Sequence, residues 1–174
     1  MKKLLIVDDS VGSDAWLCIA GCFSGYDLKI FLPEKYKDTI RGNEEVNKFL
    51  ENRVENTNID FESTVLNYSD YMSDVNFSLL MPCGINTFAN LVNGYVNNGI
   101  DICVALAAQH GITTNIILNI PDLLSATPGL LSNIKRSADC PYIAVRRDIL
   151  GISEESLGRL RGYLNSLKER EGKY

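Results

Sequence analysis

The chain has 174 residues, 45% of them hydrophobic and 22% charged, with 13 Gly and only 5 Pro. That composition excludes a disordered or collagen-like chain, and the length suits a single domain. A net charge of −5, a pI near 4.9 and no long Lys/Arg cluster exclude the basic face that a nucleic-acid binder needs.

The five cysteines (Cys18, Cys22, Cys83, Cys103 and Cys140) are too scattered for a disulfide scaffold. The lone C-x3-C pair has neither a second pair nor a nearby His, so it does not read as a zinc site. The opening apolar run is too short for a signal peptide, and no uncharged apolar stretch of about 18 residues is present to span a membrane. The expectation is a soluble, reduced, cytoplasmic protein.

In chain order, Leu4 to Val7 is a continuous apolar run, as in a strand buried on both faces of a parallel sheet. Ser13 or Asp14 is placed to cap a helix from about Ala15 to Phe23, which Ser24-Gly25 stops. A second strand covers Asp27 to Leu32 and ends at Pro33. An amphipathic helix is predicted over Glu44 to Val54, with Val46, Phe49, Leu50 and Val54 on one face. A third strand is placed at Phe61 to Leu66, and a fourth at Asn76 to Met81, stopped by Pro82-Cys83-Gly84.

Helices are then predicted from Thr87 to about Asn97, broken by Gly99, and from Asp101 to Gln109. A strand at Asn115 to Ile120 follows. Residues 122–138 read as helical with an interruption at Thr127-Pro128-Gly129, and Tyr142 to Val145 reads as a last strand. Ser153 caps a final helix whose charged tail from Lys168 is expected to fray. Strands alternating with helices give an α/β open sheet, doubly wound and mainly parallel.

In such a sheet, ligands sit outside the carboxyl ends of the strands where strand order reverses. The candidate corners are Asp8 to Asp14, Pro82 to Thr87, and Asn119 to Asp122. At the second, Pro82 and Gly84 turn the chain sharply, and Asn86 can cap the next helix or present its amide to a ligand. The helix start there also favours an anion or a carbonyl oxygen. Cys83 is placed where a thiolate would be stabilised, although a small buried residue is the simpler reading. Trp16 and Tyr95 read as core or interface, Cys18 and Cys22 as core, and His110 as a helix C-terminal or surface residue.

The segment Pro82-x-x-x-Asn86-Thr87, followed by Asn93-Gly94 and Asn97-Asn98, resembles the flavin-dependent cysteine decarboxylase family. That family includes phosphopantothenoylcysteine decarboxylase, the peptidyl-cysteine decarboxylases, and as relatives the flavin prenyltransferases and the dipicolinate synthase B subunit. Its signature reads Pro-Ala-Ser/Thr-Ala-Asn-Thr, then a helix, then Asn/Leu-Gly-Ile-x-Asp. The Asn-Thr pair and the Gly fall at the matching spacing. Cys83, Gly84 and Ile85 replace the small residues, and Asn97 replaces the Asp.

The resemblance implies a flavodoxin-like three-layer sandwich that binds FMN, usually as a homotrimer or a multiple of one. It would place Ser10, Gly12 and Ser13 at the FMN phosphate, Cys83, Gly84 and Thr87 against the flavin, and Asn86 at a substrate carboxylate. The chain also departs from the family. Its one His, His110, follows the Asn-Thr motif instead of preceding it, and Ile120-Pro121-Asp122-Leu123-Leu124 replaces the Pro-x-Met-Asn-x-x-Met-Trp segment. The expectation is therefore flavin-mediated redox, or decarboxylation without the usual histidine, of a small carboxylate-bearing substrate.

The alternative is a non-catalytic binding or signalling module that has lost flavin. It draws on the opening Leu4-Leu5-Ile6-Val7-Asp8-Asp9-Ser10, which resembles a response-regulator receiver domain. Ser78 stands where that family has its phosphoacceptor Asp.

Overall fold

The computed structural model describes residues 1–8 and 15–172. Six strands form one sheet: β1 (Lys2–Ile6), β2 (Leu28–Leu32), β3 (Thr57–Phe61), β4 (Val75–Cys83), β5 (Thr114–Leu118) and β6 (Ile143–Val145). Every pairing is parallel, and the order is β3-β2-β1-β4-β5-β6. The chain starts in the middle, winds outward to β3, then returns past β1 to build the other half. Strand order therefore reverses between β1 and β4.

The helices are α1 (Ala15–Gly21), α2 (Lys37–Ile40, after a 3-10 turn at Glu34–Tyr36), α3 (Glu44–Glu51), α4 (Tyr68–Met72), α5 (Ile85–Val92), α6 (Gly99–Gln109), α7 (Pro128–Ser137, after a 3-10 turn at Leu123–Ser125) and α8 (Glu154–Glu171). Because side chains alternate along a strand, the apolar runs feed two cores. Leu5, Val7, Leu79 and Met81 face one way and pack with Trp16, Val46, Leu157, Leu160 and Leu164 of α1, α3 and α8. Leu4, Ile6, Leu80 and Cys83 face the other way and pack with Met72, Phe88, Cys103, Val104 and Leu130 of α4 to α7. The result is the doubly wound three-layer sandwich expected from the sequence.

Several boundaries differ from the sequence reading. β3 lies at Thr57–Phe61, in register with Leu28–Leu32, and not at Phe61–Leu66. After Phe61 the Thr64 hydroxyl bonds that residue's amide and carbonyl and turns the chain, leaving Leu66 98% exposed. α3 ends at Glu51, so Val54 does not share its face and stands in solvent. α5 closes at Val92 because Gly94, at φ +73°, makes a left-handed stop. The amides of Gly94 and Tyr95 bond the carbonyls of Leu91 and Asn90 there. Tyr95 is 58% exposed and belongs to no core, and Cys18 is also exposed.

The charged tail does not fray within the described residues. α8 continues to Glu171, whose carboxylate meets the buried Lys3 ammonium at 2.5 Å, and Lys168 donates to the Ser24 carbonyl. Thr127 caps α7 with Pro128 in its first turn, which accounts for the expected interruption there.

The amino-terminal rim of the sheet carries a second buried cation. Lys29 bonds the Tyr71 carbonyl and reaches Asp74 Oδ1 at 2.5 Å. Burial alone would raise Asp74, but the hydrogen bond and charge of Lys29, with help from Lys2, hold its carboxyl below the ordinary value. A carboxyl depressed on folding stabilises the fold above the unfolded value of about 3.9 and loses that contribution as pH falls through the folded value. Asp74→Asn should therefore cost about 1 kcal/mol or less at pH 7, since the carboxylate is partly exposed. The gap to the parent, measured by urea unfolding, should close below about pH 4.

Candidate functional site

The reversal between β1 and β4 leaves a crevice at the carboxyl rim of the sheet. It opens into a cavity of about 800 Å³ lined by residues from five strand ends. β1 contributes Asp8, β2 contributes Phe31 to Glu34, β3 contributes Glu62, and β5 contributes Asn119. The corner after β4 contributes Gly84, Ile85, Asn86 and Thr87, and the start of α6 contributes Asn98 and Ile100.

The corner is built by its sequence. Between Leu80 and Cys83, β4 carries one more residue than β5, so the strand bulges at Met81-Pro82. Pro82 has no amide to offer the ladder, which suits it to this position. The Met81–Pro82 peptide is cis. Pairing resumes where the Asn119 amide bonds the Cys83 carbonyl at 2.9 Å.

Asp8, only 6% exposed, then reaches across from β1, and its Oδ2 accepts from the Gly84 amide at 2.8 Å. The anion expected at the start of α5 is thus supplied from within the chain. Asn86 is not the cap of α5: the helix begins at Ile85 with Gly84 as its cap, so Asn86 falls in the first turn. Asn86 is exposed on the cavity wall.

Cys83 lies behind this wall in the core, 1% exposed. Burial pushes its thiol well above the ordinary value, and the carboxylates of Asp8 and Asp101 add to the rise. It is a packed core thiol whose surroundings disfavour the thiolate. Gly84 and Thr87 do line the cavity. Ser10, Gly12 and Ser13, the expected phosphate contacts, lie outside the described residues, as do Asp9 and Asp14.

The far wall holds residues the sequence reading missed. Glu62 accepts from the Gly99 amide at 3.2 Å, and Glu34 accepts from the Ser63 amide at 2.6 Å. That bond, with the Ser63 side chain, holds the Glu34 carboxyl below its usual value. Gly99 is needed here because a Cβ would come within 2.6 Å of both the Phe31 ring and the Tyr68 hydroxyl. The signal for this wall was present in Asn98-x-x-Asp101, a capping-box spacing. Asn98 Oδ1 accepts from the Asp101 amide at 3.0 Å, and Asp101 Oδ2 accepts from the Asn97 amide at 2.9 Å.

His110 follows α6 at the surface and is remote from this cavity's wall. Ser78 is fully buried and bonds the Thr114 hydroxyl at 3.0 Å. No cluster of three metal-binding side chains occurs among the described residues, and no helix among them is long and apolar enough to cross a membrane.

No protein-family profile and no curated protein matches the sequence. Solved structures do match the fold over nearly the whole chain. A dodecameric FMN-dependent UbiX-like decarboxylase from Escherichia coli O157:H7 superposes with a TM-score of 0.66 at 9% identity, covering 97% of this chain and 94% of its own. A PPC decarboxylase mutant gives 0.68 at 13% identity, covering 97% and 98%. The FMN-dependent cysteine decarboxylase TvaF from thioviridamide biosynthesis gives 0.64 at 13% identity, covering 95% and 98%. The family resemblance drawn from the Asn86-Thr87 corner is thus borne out in the fold.

Two outcomes test this geometry. Asp8→Ala leaves the part-buried Gly84 amide without its acceptor and should cost about 1 kcal/mol in urea unfolding, while Asp8→Asn, which keeps an acceptor oxygen, should recover most of that. In the native protein at neutral pH, a thiol-labelling reagent should modify exposed Cys18 first. Cys83, whose thiol burial pushes well up, and Cys103, whose thiol burial pushes up to about 12, should react only on unfolding.

Proposed function

We propose that the protein is an FMN-binding flavoprotein of the decarboxylase-like class, with the flavin in the cavity at the carboxyl rim. The observation that carries this reading is the Gly84 to Thr87 corner. It closes one wall of a large cavity at the strand-order reversal, and its Asn86 is exposed on that wall. The likeness of the whole fold to FMN-dependent decarboxylases supports it.

The described lining suits a flat, amphipathic ring. Pro33, Ile85 and Ile100 supply apolar surface, and Asn86, Asn98 and Asn119 supply amides. It suits a phosphate less well, because Asp8, Glu34 and Glu62 are acidic and no Lys or Arg is among the lining residues. All three carboxylates accept backbone N–H bonds, which offsets part of their charge. The family resemblance would put the phosphate at Ser10, Gly12 and Ser13, which lie outside the described residues.

Bound here, the isoalloxazine would supply an electron sink for redox or decarboxylation. The chain's own residues orient and exclude. Asn86 would donate its side-chain N–H to a substrate carboxylate and so orient it toward the flavin. Gly84 lets the backbone approach the ring without a side chain, Thr87 supports it from the first turn of α5, and Cys83 packs the corner from behind. The substrate is a small carboxylate-bearing molecule, and the reaction is a lyase or oxidoreductase step without the usual histidine. Ile85, on the cavity lip and 47% exposed, favours a mouth completed by a second subunit, as in a cytoplasmic homotrimer or a multiple of one.

The protein purified at micromolar concentration should be yellow or should quench the fluorescence of added FMN. Asn86→Ala should leave flavin affinity within about twofold while abolishing the perturbation of the flavin spectrum by carboxylate ligands, because the loss of one exposed amide removes a ligand contact and not the ring site. A colourless protein that leaves FMN fluorescence unchanged would sink the flavin reading in favour of a non-catalytic module.

A further inference from the structure

Charge is unevenly spread along the chain. Residues 75–134 hold only two charged residues, Asp101 and Asp122, in a protein whose charged residues make up 22%. Asp101 is 2% exposed and so adds almost nothing to the surface. The segment folds into β4, α5, α6, β5 and most of α7, and its three helices rest on one face of the sheet. The helix layer on the opposite face has no such gap: α8 alone carries eight charged residues among its 18.

The uncharged layer is open to solvent. Tyr95 and Val96, each 58% exposed, stand on the turn between α5 and α6, and Leu131, 46% exposed, stands on α7, which packs beside α5. A cavity of about 270 Å³ lies between α5 and α6, with Leu91, Val104 and Ala105 in its walls and Tyr95 and Val96 at its rim. Projecting side chains thus stand beside a hollow. The exposed polar groups in this stretch are amides, Asn93 and Asn97. Charged groups return at the carboxyl end of α7, where Lys135, Arg136 and Asp139 are exposed and Arg136 donates to Asn93 Oδ1 at 2.8 Å.

An apolar centre depleted of charge, with charged residues at its edge, is the composition of a protein–protein contact. Partners of other chemistry find no complement here. An anionic lipid surface or a nucleic acid needs Lys and Arg, and a charged protein face needs the opposite charge. An amide both donates and accepts, so an Asn-bearing face pairs with its own image, whereas a face of one charge repels it. A projecting ring beside a hollow also suits a two-fold contact, in which each copy gives and receives the same group.

We propose that the uncharged layer of α5, the 93–98 turn and α7 is the contact surface for a second copy of this chain, docked about a two-fold axis. The contact does not rest on the flavin reading.

Sedimentation equilibrium of the intact protein at micromolar concentration is the test. The parent should be a dimer or another even-numbered assembly, and about 1 M NaCl should not lower its mass, because no ion pair holds the contact. Val96→Glu should keep the parent's urea midpoint, since the site is exposed, while weakening association at least about tenfold, since each copy would bury an unpaired carboxylate against its image. Leu131→Glu should do the same from a second element. Val54→Glu, at a site 98% exposed just beyond α3 of the opposite layer, should leave the mass unchanged. A monomeric or odd-numbered parent, dissociation by salt, or a mass that neither Val96→Glu nor Leu131→Glu lowers would each overturn the proposal. The flavin reading would survive any of these, because its own test is FMN binding.

Discussion

The bond from the Gly84 amide to the Asp8 carboxylate ties the two halves of the molecule together at the point where they diverge. One partner ends the first strand, and the other begins the corner after the fourth. A parallel sheet that reverses its order leaves a gap between the connections leaving those two strands, and helix starts there carry unsatisfied amides. Filling one of them with a nearly buried side chain fixes the corner's position without sealing the cavity. It also means that an incoming anion does not find the α5 terminus open, and must be met by side chains such as Asn86.

The two cores explain why this corner can be so exposed. Burial of β1 on both faces makes the sheet centre rigid, and every helix rests on one side or the other. The corner thus inherits its placement from the strands beneath it and can present polar groups without packing of its own. Cys83 marks the boundary: one residue earlier the chain is core, and one residue later it lines the cavity.

Much of this was legible in the sequence. The apolar run at Leu4 to Val7 has the signature of a doubly buried strand, Asn76 to Met81 read as a strand stopped by its Pro-Cys-Gly, and the turn residues between elements gave the alternation of strand and helix. The corner could be read because Pro82, Gly84, Asn86 and Thr87 carry distinct local chemistry. What stayed hidden depends on partners distant in the chain. The role of Asp8 as an acceptor was not legible because it involves an amide 76 residues away. Glu62 fell within the strand expected at Phe61 to Leu66 and Glu34 had no assigned role, and only the parallel pairing of β2 with β3 brings them to the rim. The end of α5 was misplaced because Gly99 alone read as the breaker, whereas the positive φ at Gly94 makes the stop and Gly99 serves a close approach.

The all-parallel sheet also divides labour between its two rims. At the amino-terminal rim, Lys3 and Lys29 act as struts that bind the ends of strands to α8 and to the segment before β4. At the opposite rim, each connection supplies its own few residues to the cavity and is anchored by its own strand. Substitutions in one such connection need not disturb the others, so cavity chemistry can drift while the scaffold persists. A TM-score of 0.68 at 13% identity is what such separable parts produce.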